Sequence, residues 1–261
     1  MGTVREQQEA TLVGADGVEV SVVHLPALDA RDDGRCVVLV HGFTNNWRIP
    51  RVQRVIGALR RHASVVAVDM RGHGRSGGLT TLGDTEVMDV TEAVRWARQL
   101  GYAEVATVGF SMGGSVVIRQ AALGDARPDA VVSVSAPAFW YYKGTRVMRL
   151  LHHVVEHPVG RALMRVRGVR ITDEAWVEPL PVSPVEAMAR LSDIPVLIVH
   201  GTVDHYFPTE HPKALFRAVQ AAGNDDAQLW LIDGFAHAES GIDDATLESI
   251  GGWLDERLVS V

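Results

Sequence analysis

Ser111 stands inside the stretch VATVGFSMGGSVV, residues 105–117. The apolar residues before it read as a buried strand, and those after the glycines read as the opening of a helix. The serine therefore sits at the tip of a tight strand-to-helix turn. Gly109 and Gly113 flank it at two residues on either side. Side chains at those two positions would collide with the neighbouring helix and strand, and glycine removes the clash. The turn then exposes the hydroxyl, with the positive end of the following helix directed at it. The chemistry this suits is nucleophilic attack on an acyl carbonyl. A serine hydroxyl is a weak nucleophile at neutral pH, so it needs a base, and the base needs an acid to orient it.

The G-x-S-x-G spacing, with a strand before and a helix after, is that of a nucleophile elbow. In such a chain the acid and then the histidine follow later strands. Asp204 fits the acid, in the loop of IPVLIVHGTVDHYFP (194–208). Asp69 ends the earlier run SVVAVDM and comes before Ser111, so it reads as structural, tying down the RGHGRS loop. His237 fits the base. Eleven histidines are present, and His237 alone follows the last apolar run, AQLWLI (227–232). Asp233 lies at the end of that run and ranks below Asp204 as the acid. A tetrahedral intermediate also needs fixed N–H donors for its oxyanion. Met112, next to the nucleophile, supplies one. Phe43, in the HGFTNNW loop after CVVLV (36–40), supplies the other, with Gly42 letting the loop approach the serine.

These residues need a scaffold, and the remaining pattern describes one. TLVGADGVEVSVVHL holds two short runs around Ala15-Asp16-Gly17, which is hairpin chemistry. CVVLV, SVVAV, EVATV, AVVSVS, IPVLIV and AQLWLI are continuous apolar runs. Strands of that kind are buried on both faces of a mostly parallel sheet. Helical periodicity alternates with them, in RVQRVIGALRRH, DTEVMDVTEAVRWARQLG, HPKALFRAVQAAG and DDATLESIGGWLDERL. The order predicts one α/β domain over 1–261, a doubly wound sheet of roughly eight strands. Residues 138–190 break the rhythm. They are too long for a simple crossover helix and read as an insertion lying over the sheet.

The segments LVHGF, VVAVDMRGHGRS, VGFSMGG, LIVHGTVDHYFP and GFAHAE follow the order and spacing of the alpha/beta-hydrolase superfamily, which the chain resembles over nearly its whole length. The resemblance implies an eight-stranded, mostly parallel sheet flanked by helices, with 138–190 as a short helical cap. It maps the triad onto Ser111, Asp204 and His237, and the oxyanion donors onto Phe43 and Met112. One departure is mild: Ala236 stands where the histidine loop often has glycine. A serine nucleophile also sets the chain apart from the epoxide-hydrolase and dehalogenase branches, which use aspartate there. The implied activity is hydrolysis of a carboxylic ester through an acyl-enzyme, with a small lipophilic or monoacylglycerol-like ester as substrate. A thioesterase, a C–C bond hydrolase or a cofactor-free perhydrolase would use the same triad, and a catalytically weak ligand-binding receptor would use the same fold.

Composition bounds the rest. The formal net charge of −7 is the opposite of what a nucleic-acid binder carries. Cys36 is the single cysteine, within RCVVLV, so no internal disulfide forms and the thiol reads as a small buried hydrophobe. MGTVREQQEA lacks the apolar core of a signal peptide, Glu6 stands where a myristoylation signal has Ser or Thr, and no apolar run approaches the roughly 18 residues of a membrane span. The expectation is a cytoplasmic monomer or homodimer without stable membrane insertion, acting on a small acyl substrate with no cofactor and no metal. Within the cap, Trp140 and Tyr141 belong to the run Phe139–Tyr142, which either lines an acyl pocket or anchors the cap. Lys143 to Arg170 holds seven Lys/Arg and one acidic residue, Glu156. That basic segment either attracts an anionic substrate or is a solvated face, and MRLLHHVVEH is expected to bury against the core.

Overall fold

Uniformly apolar runs call for cover on both sides, and those within 36–40, 64–68, 105–110, 130–134 and 196–201 have it. The computed structural model describes residues 6–28, 34–173 and 180–258. Eight strands form one sheet: β1 (Gln8–Val13), β2 (Glu19–Leu25), β3 (Arg35–Val40), β4 (Ser64–Val68), β5 (Glu104–Phe110), β6 (Ala130–Val134), β7 (Val196–Gly201) and β8 (Ala227–Ile232), in the order β1-β2-β4-β3-β5-β6-β7-β8. β1 and β2 pair antiparallel across the Asp16-Gly17 turn, and β2 meets β4 antiparallel. Every later pairing is parallel.

The pleat sends alternate residues to two cores. Cys36, Val38 and Val40 of β3 enter one core with helices α2 (Glu86–Gln99), α3 (Met112–Leu123) and α7 (Glu210–Ala221). Val37 and Leu39 enter the other with α1 (Pro50–Leu59) and α9 (Asp244–Arg257). β8 departs from the expectation of burial on both faces. It is half-buried along most of its length because it is the edge strand and has a neighbour only in β7. Residues 29–33 of the charged stretch DARDDGR (29–35), and residues 174–179 of the 138–190 insertion, lie outside the described ones.

Between β6 and β7 the chain leaves the sheet. It forms α4 (Arg146–Glu156), α5 (Pro158–Val166) and the short α6 (Pro184–Met188). The sequence periodicity marks α4; the second helix of the pair opens at Pro158, whose fixed φ suits a first helical position. His157 ends one helix and caps the next, its side chain accepting from the Val159 N–H. Val155, Met164, Val169 and Ile171 pack together beneath this hairpin, against Phe43 and Leu82 of the body. The chain then returns along the loop after β4, where Arg170 accepts from Thr80 N–H at 2.8 Å and donates to Gly72 at 2.8 Å. Among the described residues no helix is long and apolar enough to cross a membrane.

Candidate active site

Ser111 has φ 52° and ψ −116°, a left-handed conformation that an L-residue adopts only under strain. The glycines around it make this possible. A Cβ on Gly109 would run into the Gly113 carbonyl, and one on Gly113 into the Val40 and His41 carbonyls of the adjacent strand end. The turn is held from outside by the Ser111 N–H, which donates to Val134 at 2.8 Å. Ser111 caps α3 with its side chain left out of the cap, so the hydroxyl is available.

His237 Nε2 lies 2.9 Å from Ser111 Oγ, and His237 Nδ1 lies 2.7 Å from Asp204 Oδ2. A carboxylate only accepts, so Nδ1 carries the proton and Nε2 is left to accept from the serine hydroxyl. The carboxylate is itself fixed. Its Oδ1 accepts the N–H groups of Tyr206 at 2.8 Å and Phe207 at 3.0 Å. Its side chain is fully buried. The Tyr206 ring stacks on the imidazole, with centroids 4.2 Å apart and planes 24° from parallel.

Asp233 is elsewhere engaged: it accepts the Thr202 hydroxyl at 2.9 Å. Asp69 tethers two loops, as its position implies. It accepts from Trp47 N–H at 2.9 Å, Arg75 N–H at 3.1 Å and the Arg48 guanidinium at 2.7 Å. The HGFTNNW and RGHGRS loops are thereby joined. Burial pushes its carboxyl up, against the pull of those donors.

A cavity of about 300 Å³ opens over the serine and is lined by Phe43, Met112, Trp140, Tyr141, Met148 and Tyr206 among others. Met112 opens α3, so its N–H has no partner within the helix. Phe43 lies in a turn where Thr44 has φ 68°. Both sit in the wall beside Ser111. The two aromatics Trp140 and Tyr141 are placed differently. Trp140 lines the cavity, yet its Nε1–H donates to Pro181 at 2.8 Å and the Arg119 guanidinium lies 5.4 Å from its ring centre. Tyr141 lines the cavity and is 43% exposed.

Two residues had no assigned role in the sequence. Tyr206 follows Asp204 by two positions, and only the folded loop turns its ring onto His237. Glu239 follows His237 by two and is buried. Its Oε1 accepts the Gly42 N–H at 2.7 Å, so the histidine loop holds the loop that carries Phe43. No periodicity marks either. Among the described residues no group of three or more His, Cys, Asp or Glu side chains is placed to hold a metal ion.

Residues 35–166 match the family described as the alpha/beta hydrolase fold. The solved esterase Pf2001 of Pyrococcus furiosus superposes with TM-score 0.76 at 21% identity, covering 97% of this chain and 92% of that one. The esterase RhEst1 of Rhodococcus sp. superposes with TM-score 0.71 at 22% identity, covering 96% and 99%. In sequence, 107 residues are 34% identical to the dihydrolipoyllysine-residue acetyltransferase component of the acetoin cleaving system of Pseudomonas putida; they are 40% of this chain and span only 26% of that protein. With the sheet order, the strained serine turn and the matched residues together, the chain belongs to the alpha/beta hydrolase fold family.

Proposed function

We propose that the protein is a serine hydrolase that cleaves carboxylic esters through an acyl-enzyme. The observation that carries this reading is the continuous path Ser111–His237–Asp204 at the floor of a largely apolar cavity. His237 Nε2 takes the hydroxyl proton as Ser111 Oγ attacks the acyl carbon. Asp204 holds the imidazole and stabilises its charged form. The Met112 and Phe43 N–H groups receive the oxyanion. Collapse breaks the bond to the alcohol, which leaves with the proton from Nε2. Water then attacks the acyl-enzyme, giving its proton to the same nitrogen, and Ser111 is restored as the carboxylic acid departs.

The cavity wall, with Phe43, Leu82, Met112, Trp140 and Leu151, suits a small lipophilic acyl group or a monoacylglycerol-like ester. The cap is the specificity element in this reading, because α4 contributes Met148, Leu151 and Val155 to the wall. The fold shared with the Pyrococcus and Rhodococcus esterases agrees with it. Hydrolysis of p-nitrophenyl esters from acetyl to palmitoyl, by the wild type and by Ser111→Ala, tests it. Activity that disappears in the variant is the expected result, with the preferred chain length sizing the cavity. A folded protein inactive on every ester, yet labelled at Ser111 by a fluorophosphonate, would replace the ester by a thioester or C–C substrate.

A further inference from the structure

The hairpin α4–α5 turns an apolar stripe toward water. In α5, Val159, Ala162, Leu163 and Val166 recur at three- and four-residue steps and so share one face. Val159 is 70% exposed, Leu163 52% and Val166 86%. The other side of the helix buries Met164 in the cluster with Val155, Val169 and Ile171. An amphipathic helix normally keeps its apolar stripe for the core. Here the core is already supplied by Met164, and the stripe is left over.

Within α5 itself every charged residue is an arginine. Helical spacing sets Arg165 on one flank of the stripe and Arg167 on the other, with Arg161 farther round toward the side of Met164. Glu156, the one acidic residue of 143–170, is taken up by Lys143 at 2.7 Å and His152 at 2.8 Å. Arg149 and Arg161 donate to the backbone carbonyls of Gly144 and Glu156, which leave their charge uncompensated. Arg146, Arg165 and Arg167 are exposed and meet no carboxylate among the described residues. With +6 in this segment and −7 overall, the remaining chain carries −13. Any negatively charged surface therefore attracts this face and repels the rest.

We infer that the α4–α5 hairpin docks the protein on an anionic phospholipid surface. Val159, Leu163 and Val166 enter the boundary of the acyl layer, and the arginines extend to the lipid phosphates. A second copy of the chain does not fit the same face. A twofold contact would press two basic hairpins together. Four side chains of this size also fall well short of the roughly 800 Å² per partner that a stable interface uses. α4 lines the cavity with Met148, Leu151 and Val155, while the neighbouring α5 carries the stripe. The docking itself does not depend on the chemistry at Ser111.

Co-sedimentation of the full chain with vesicles tests the inference. The vesicles are phosphatidylcholine alone or phosphatidylcholine with about one third phosphatidylglycerol, at about 0.05 and about 0.5 M NaCl. Binding to the anionic vesicles is expected, weaker by about tenfold or more on the neutral ones and at high salt. Val166→Asp, Leu163→Asp and the pair Arg165→Glu with Arg167→Glu are each expected to weaken it about tenfold or more. These positions lie outside the cavity wall, so turnover of a water-soluble short ester by Val166→Asp stays at the wild-type level and reports an intact fold. Absence of binding to phosphatidylglycerol vesicles overturns the inference. So does binding by Val166→Asp equal to wild type, or a wild-type dimer that Val166→Asp splits.

Discussion

Asp204→Asn isolates what the carboxylate does, because the structure dictates how the amide must sit. Two backbone donors, the N–H groups of Tyr206 and Phe207, point at Oδ1, and His237 Nδ1 points at Oδ2. Asparagine has one acceptor oxygen and one donor nitrogen. Placing the oxygen toward His237 turns the NH₂ against two buried N–H groups. That leaves two donors unpaired, at about 1–3 kcal/mol each. The oxygen therefore stays with Tyr206 and Phe207, and the NH₂ faces His237. Nδ1 must then accept, and the ring proton moves to Nε2, the nitrogen aimed at Ser111 Oγ at 2.9 Å. An Nε2–H cannot take a proton from the serine.

The expected loss in kcat/KM is about 10⁴-fold, or about 5 kcal/mol of transition-state stabilisation. KM should change little, since Asp204 is buried beneath His237. Stability should hold within about 2 kcal/mol, because the Tyr206 and Phe207 bonds persist. Steady-state hydrolysis of a short p-nitrophenyl ester gives the first number and urea unfolding the second. The nitrogen shifts of His237 report the tautomer directly. Retention of activity within tenfold, with the protein folded, would refute the reasoning, since it would mean that the carboxylate neither sets the tautomer nor stabilises the imidazolium.

Glu239→Ala removes the acceptor for the Gly42 N–H and frees the loop of Phe43; a fall in kcat of about 10- to 100-fold at similar KM is expected, with Glu239→Gln restoring most of it through its amide oxygen. Gly113→Ala drives a Cβ into the Val40 and His41 carbonyls and should lower stability by more than about 2 kcal/mol, measured as a shift in the urea midpoint. Acid should destabilise the fold through its buried histidines, partly offset by Asp89, whose carboxyl burial raises to about 6. Burial pushes His41 from 6.5 down to about 4, so the unfolded chain takes up the proton first. Its contribution is complete above pH 6.5 and is lost as pH falls toward 4, amounting to about 2 kcal/mol between pH 8 and pH 5. Burial lowers His73 and His211 to about 4 as well, so the same window steepens. Unfolding free energies at pH 8 and pH 5 check this, and equal values would mean that these rings are protonated in the folded state.

Local sterics made the strained turn of Ser111 readable in the linear chain. A serine between two glycines, after an apolar run and before a helix, leaves few other conformations for five residues, and the structure has Ser111 at φ 52°. The strands from β3 to β7 were equally legible, because a run without polar residues calls for cover on both faces; that β8 is the half-buried edge was not. Asp204 and His237 were placed by their position after later strands, but the meeting of His237 with Ser111 across 126 positions depends on the parallel order of β5, β7 and β8. Glu239 went unread for a related reason. Its bond to Gly42 spans 197 positions, and nothing local distinguishes it from a surface glutamate. Periodicity likewise marks α4 as amphipathic without saying where its apolar face goes, and α5 was not read as a helix. The reading of MRLLHHVVEH as a buried segment holds for one side of α4, which buries Met148, His152 and Val155. In α5 the apolar stripe is solvent-exposed instead. Which side an apolar stripe meets is set by what packs opposite it, and only the folded chain decides that.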